Sequence, residues 1–216
     1  MKIAIIGATG TVGKAVVKEA AARGHEVTAF ARSVEKVQQG DNIKAVAFDV
    51  NAADFAGQLK GFDAVVSAFN GGWSNPNGGA DFAKGAAAIT EAAKTAQVPY
   101  LLAVGGAGSL YVAPGVQLID TPEFPKEIYD GANAARNWLK DLQARRDINW
   151  SFISPPAAFI GNIDTRSGKY RTGKDEVLFT DGQPANISAP DLACAIVDAA
   201  ENKAHLFERF TVAEIV

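Results

Sequence analysis

A chain of 216 residues can build one sizeable core but is short for two full domains, and its 48% hydrophobic and 21% charged residues fit a globular protein. The net charge of −3 leaves no basic excess for nucleic acid, and no apolar run reaches the roughly 18 residues needed to span a membrane. Cys194 is the only cysteine, so an intramolecular disulfide is excluded, and the separated His25 and His205 form no metal signature. No metal, nucleic acid or membrane is therefore expected.

The first thirteen residues, MKIAIIGATGTVG, read as a strand, a glycine turn and the start of a helix. Because the N-terminus reads as a core strand rather than a signal peptide, the expected compartment is the cytoplasm. The spacing G-x-x-G-x-x-G assigns each glycine a task. Gly7 permits a sharp turn, Gly10 lets the backbone approach a ligand, and Gly13 removes the side chain that would hold helix and strand apart. The unpaired N–H groups at the helix start would then face an anion, most simply a dinucleotide pyrophosphate. On this reading Gly7, Ala8, Thr9, Gly10, Thr11, Val12 and Gly13 form the phosphate-binding turn.

Strand and helix then alternate. Residues 14–23 predict a helix ended by Gly24, and strands are expected at 26–31, 43–48 and 63–68, with a short helix at 54–60. A helix at 80–96, a strand at 100–104, a helix at 125–146 and a strand at 150–154 follow. After Pro155-Pro156 the regularity breaks, and residues 155–187 read as a small hairpin or lid over the open end of the sheet, with extended pieces at 169–171 and 177–180. Ser188 to Asp191 form a helix-start signature, the helix runs to about Asn202, and 209–212 gives a last strand. The pattern predicts a single Rossmann-like domain, a doubly wound parallel α/β sheet with a C-terminal lid on the substrate side.

Ligands of such sheets sit beyond the strands' carboxyl ends. At the end of the second strand Phe30-Ala31-Arg32-Ser33 carries a cation where an NAD-selective site would carry a carboxylate, so Arg32 and Ser33 suit the 2′-phosphate of NADP, with NAD the alternative. Asp49-Val50 follows the third strand, where Asp49 either accepts from the adenine amino group or caps the next turn. Ala68, Phe69 and Asn70 follow the fourth strand and let the chain pass close to a ribose.

With GATGTVG, FARS, FDV and SAFN in this order, the chain resembles the atypical short-chain dehydrogenase/reductases, in particular the NmrA-like NAD(P)-binding group. VGGAGSLYV at 104–112, LIDTPEFP at 118–125, INWSFISPPAAF at 148–159 and GKYRTG at 168–173 are similar to bacterial proteins provisionally described as NADH-flavin reductases. The resemblance covers essentially the whole chain. It implies that Gly105, Pro155 and Pro156 border the nicotinamide, that the cofactor is NADP or NAD, and that a planar small molecule, flavin or quinone, accepts hydride.

The resemblance also implies a catalytic tyrosine with a lysine four residues later and a serine after the fifth strand, and this sequence departs from all three. Tyr129 is followed by Asn133, and the serine position falls at Gly106. Ser109 and Tyr129 remain as candidate catalytic hydroxyls, with Tyr111 nearby, and Phe69, Trp73, Tyr111 and Phe159 as candidate flat walls for the acceptor. A chain without the tyrosine and lysine fits hydride transfer to a flavin, which chiefly needs stacked rings and exclusion of water. The alternatives are a non-catalytic redox sensor and, less favoured, a sugar epimerase or dehydratase.

Overall fold

A computed structural model of the protein describes residues 1–72 and 75–215. The first half supplies β1 (Lys2–Ile6), α1 (Thr11–Ala22), β2 (Glu26–Ala31), β3 (Ile43–Ala47), α2 (Phe55–Gln58), β4 (Ala64–Ser67), α3 (Gly78–Thr95) and β5 (Leu101–Val104). The second half supplies β6 (Tyr111–Ala113), β7 (Val116–Gln117), α4 (Tyr129–Gln143), β8 (Trp150–Ser154), β9 (Arg171–Gly173), β10 (Phe179–Thr180), β11 (Gln183–Pro184), α5 (Ala189–Asn202) and β12 (Arg209–Ala213). Eight strands form one sheet in the order β3-β2-β1-β4-β5-β8-β12-β9. All pairs are parallel except β12 with β9. The doubly wound α/β fold expected from the alternation is the one observed.

Period-two alternation explains why both faces of this sheet are covered. On β1, Ile3 and Ile5 pack with α1 and α5, while Ala4 and Ile6 pack with α2, α3 and α4. The second face is stitched by aromatics. Trp138 of α4 sits edge-on to Phe82 of α3 at 5.8 Å and to Phe152 of β8 at 6.0 Å, and its indole N–H donates to Thr90 Oγ1 at 2.9 Å. Such pairs contribute about 0.5–1.5 kcal/mol beyond the area they bury. They lock α3 and α4 to each other and to β8, and the beginnings of both helices border the cleft described below.

Several expectations are corrected at the C-terminal side. The extended piece near Arg171 is not part of a detached hairpin, because β9 joins the main sheet as an antiparallel edge to β12. The second piece does form a hairpin, β10 with β11, while β6 and β7 make another, turned at Pro114-Gly115, that the sequence reading did not include. The helix expected from 125 begins only at Tyr129, after a 3-10 turn at Lys126–Ile128. The α5 start is as read: Ser188 Oγ accepts from the Asp191 N–H at 3.0 Å.

Residues 166–170 are strapped to the α1/α5 face by three acids, of which Glu19 and Asp191 are buried. Arg166 donates to both oxygens of Glu19 at 2.8 and 2.9 Å, and Arg23 adds a third bond at 2.9 Å. Asp191 accepts from the N–H groups of Ser167 and Gly168, and from the Ser167 hydroxyl. Tyr170 donates to Asp198 at 2.5 Å. Chiefly because Arg166 donates to it, the Glu19 carboxyl is pulled down from 4.5 to about 2, against the opposing effect of burial.

A depressed carboxyl pKa stabilises the fold fully above the unfolded value and is lost as pH falls toward the folded value. Glu19 therefore contributes its full stabilisation above about pH 4.5 and loses it between pH 4.5 and about 2. Glu19→Gln should be less stable at neutral pH by about 2 kcal/mol and should melt with a flatter acid dependence across that window. Thermal melts of both proteins from neutral to acid pH check this; parallel curves would contradict it.

Candidate functional site

The β1–α1 turn is built by close packing. Gly7 has φ +78°, and the N–H groups of Gly7 and Ala8 both donate to the Phe30 carbonyl at the end of β2. A Cβ on Gly7 would lie 2.4 Å from the Ala68 carbonyl oxygen, so the chain leaving β4 runs directly against the turn. A Cβ on Gly13 would lie 2.1 Å from the Gly7 carbonyl oxygen, which seats α1 on the turn. Gly10 differs: its nearest protein atom would be 3.4 Å away, so its outer side is open.

Above Gly10 stands the N-terminus of α1. No side chain caps it, and no acidic residue lies in its first turn. The first N–H groups of a helix have no intrahelical acceptor, so this end offers directed donors and a partial positive charge to an anion. A dinucleotide pyrophosphate fits such a cradle, because the glycine that a Cβ would block is the one facing outward. The segment after β8 closes over it. Gly161 sits so near that a Cβ there would be 2.5 Å from the Thr11 methyl.

A cleft of about 1270 Å³ extends from this turn along the carboxyl ends of β4, β5 and β8. It crosses the point where the sheet order reverses between β1 and β4, the usual ligand position in doubly wound folds. Of the residues predicted from sequence, Gly10, Thr11, Val12, Ala68, Phe69 and Asn70 line it at one end, and Gly105, Pro155 and Pro156 further in. Phe69 is held in place, since its ring stacks on Phe82 at 6.1 Å and a Cβ on Gly85 would strike it at 2.3 Å. Gly105 has a packing reason as well: a Cβ there would meet the Phe152 ring at 1.9 Å.

Gly7, Ala8, Thr9 and Gly13 form the turn behind the cleft rather than its lining. Arg32, Ser33 and Asp49 lie at the surface outside the lining, and Val50 beneath them. Arg32 is exposed and Val50 is buried in the core. Asp49 Oδ1 accepts from the backbone and side-chain nitrogens of Asn51 at 2.9 and 3.1 Å, which is the capping alternative. Those bonds, with the charges of Arg32 and Lys84 adding to them, lower the Asp49 pKa, so this surface pairs one carboxylate with nearby cations.

Neither candidate catalytic hydroxyl reaches the cleft. Ser109 is buried, with its hydroxyl 3.4 Å from Nη1 of Arg209, whose guanidinium also holds Asp175. Tyr129 is outside the lining, its ring edge-on to Phe124 at 6.3 Å. Of the candidate walls, Phe69 and Phe159 line the cleft, Tyr111 sits exposed on the β6–β7 hairpin, and Trp73 lies outside the described residues. Sequence reading missed the far wall, made by Leu118, Thr121, Phe124 and Ile128. These follow β5 in the chain, and their position after a strand's carboxyl end was the signal that could have found them.

Among the described residues the lining holds no tyrosine, lysine, histidine or cysteine. No helix among them is long and apolar enough to cross a membrane.

Three comparisons agree with this geometry. A family model described as NAD(P)H-binding matches residues 7–203. The Bacillus subtilis protein YwnB is 43% identical over 216 residues, 98% of each chain. A crystal structure titled a "putative epimerase", from Bacteroides thetaiotaomicron, superimposes with TM-score 0.90 at 38% identity, over 100% of this chain and 97% of that one. Another, a "putative NADH-flavin reductase" from Streptococcus pneumoniae, gives TM-score 0.87 at 35% identity over all of both chains. The glycine turn, the open helix end and the family match together establish that the chain belongs to the NAD(P)H-binding family of Rossmann-fold proteins.

Proposed function

We propose that the protein is an NAD(P)H-dependent reductase of the atypical short-chain, NmrA-like type that passes hydride to a planar acceptor, a flavin or a quinone. The observation that carries this reading is the chemistry of the cleft lining: flat apolar walls and backbone around Gly105, Pro155 and Pro156, without a tyrosine, lysine, histidine or cysteine among the described residues, its three carboxylates, Glu123, Glu127 and Asp130, all being solvent-exposed. A carbonyl reductase or epimerase needs a positioned acid or base at the reacting carbon, whereas a flavin or quinone accepts hydride once it is stacked at the right distance. The Streptococcus relative's name agrees with this choice.

In this scheme the backbone N–H groups of Thr11 and Val12 hold the pyrophosphate, Ala68 to Asn70 pass beside the ribose, and Arg32 and Ser33 take a 2′-phosphate, so NADPH is the preferred donor. Asp49, whose Oδ1 is held by Asn51, offers its other oxygen to the adenine amino group. Gly105, Pro155 and Pro156 border the nicotinamide, the prolines with φ fixed by their rings. Held by these residues, a reduced nicotinamide would supply a hydride to the acceptor, with solvent supplying the proton that completes its reduction. Phe82, Phe124, Ile128 and Phe159 exclude water and keep the acceptor flat. Residues 155–187 act as the lid on the substrate side, and neither Ser109 nor Tyr129 takes part.

Gly10→Val should leave the thermal midpoint within a few degrees, because the outer side of Gly10 is open, yet weaken dinucleotide binding at least about 100-fold by filling the cradle. Titration by nicotinamide fluorescence checks this, and unchanged affinity would refute the cradle. Oxidation of NADPH followed at 340 nm with flavin or a small quinone tests the activity itself. Acceptor-dependent turnover is expected, with Arg32→Glu slowing NADPH at least about tenfold more than NADH. Tight dinucleotide binding without turnover for any acceptor would instead make the protein a non-catalytic sensor.

A further inference from the structure

Three helices open onto the cleft, and their first turns are not alike. Gly10 and Thr11 at the start of α1, Gly78 and Gly79 at the start of α3, and Asp130 and Gly131 at the start of α4 all line it. A bare helix N-terminus attracts an anion, and a carboxylate in its first turn occupies that position. The first turn of α1 carries no acid, whereas α3 has Asp81 and α4 has Asp130. Asp81 and Asp130 thus put negative charge at two of the three helix starts, where it weakens their pull on an anion.

The charged side chains of the described lining point the same way. They are Glu123, Glu127 and Asp130, all exposed at the far end of the cleft, with no lysine or arginine among them. Lys126, between two of them in sequence, lies outside the lining, and Arg136 further along α4 is held by Asp120 at 2.7 Å. A dinucleotide pyrophosphate on α1 would add negative charge at the other end. An acceptor between the two ends meets apolar walls made by Leu118, Phe124 and Ile128 in a negative field.

We propose that the acceptor is an uncharged or cationic planar molecule, and that acceptors bearing a phosphate or carboxylate tail are turned away by Glu123, Glu127 and Asp130. This rests on the reductase reading of the same cleft. Among flavins it selects riboflavin over FMN, which carries the same ring and differs by a phosphate.

The test compares riboflavin with FMN on one protein, so that any loss of folded enzyme cancels in the ratio. At low ionic strength kcat/KM with NADPH should favour riboflavin about tenfold, and the ratio should shrink as salt shortens the screening length to about 10 Å near 0.1 M. Joint substitution Glu123→Gln, Glu127→Gln and Asp130→Asn should bring the ratio near unity, chiefly by improving FMN. An FMN rate equal to or above that of riboflavin at low salt, or a ratio indifferent to both salt and the substitutions, overturns the proposal while leaving the reductase standing. Flavin fluorescence quenching with the NADP⁺-loaded protein separates the other failure. Salt-sensitive preference for riboflavin without turnover supports the charge selection and sinks the reductase, and no binding of riboflavin overturns both.

Discussion

The contact of Gly13 with the Gly7 carbonyl, and of Gly7 with the Ala68 carbonyl, is the constraint on which the rest of the molecule depends. A Cβ at either glycine would collide with backbone, at 2.4 Å for Gly7 and 2.1 Å for Gly13, and so push β4 away from the turn or α1 off β1. With both present as glycine, the first helix begins within van der Waals reach of the end of the first strand. Its unpaired N–H groups are then aimed across the point where the sheet order reverses. Ala68 to Asn70, leaving β4, necessarily form the adjoining wall. The phosphate cradle is therefore a by-product of how tightly the fold closes, with Gly10 alone left free on its outer side.

The second half of the chain builds the other half of the cleft by a different means. Where the first half relies on absent side chains, the second relies on aromatic interlocking through Trp138 and on acids strapping residues 166–170 onto α1 and α5. Glu19, Asp191 and Asp198 all lie on that face and each accepts from the strapped segment. The strap is electrostatic at one end and packed onto Thr11 at the other. The cleft thus has a rigid floor set by the sheet and a roof whose attachment depends on ionised carboxylates.

How much of this was legible in the sequence varies with the range of the interaction. The glycine turn, the strand alternation and the Ser188 cap are local, and local chemistry announces them. The strand at Arg171–Gly173 was misplaced because its pairing with β12 joins residues about forty apart, and nothing within three residues marks an edge strand. Ser109 and Tyr129 had the right chemistry for catalysts, but the fold buries the Ser109 hydroxyl beside Arg209 and leaves Tyr129 exposed outside the lining of the cleft. Conversely, the acidic and apolar far wall was hidden in an irregular segment, where neither periodicity nor a motif assigns a side chain to a surface. The family match supports a nicotinamide cofactor for the chain, while the reading of the acceptor rests on the lining alone.

The most direct measurement is a crystal structure of the protein with NADP⁺ bound. The account predicts pyrophosphate oxygens within hydrogen-bond distance of the Thr11 and Val12 N–H groups, the nicotinamide beside Pro155 and Pro156, and the ring face exposed toward Phe124 and Ile128. A pyrophosphate bound away from the start of α1, or a nicotinamide turned out of the cleft, would contradict it.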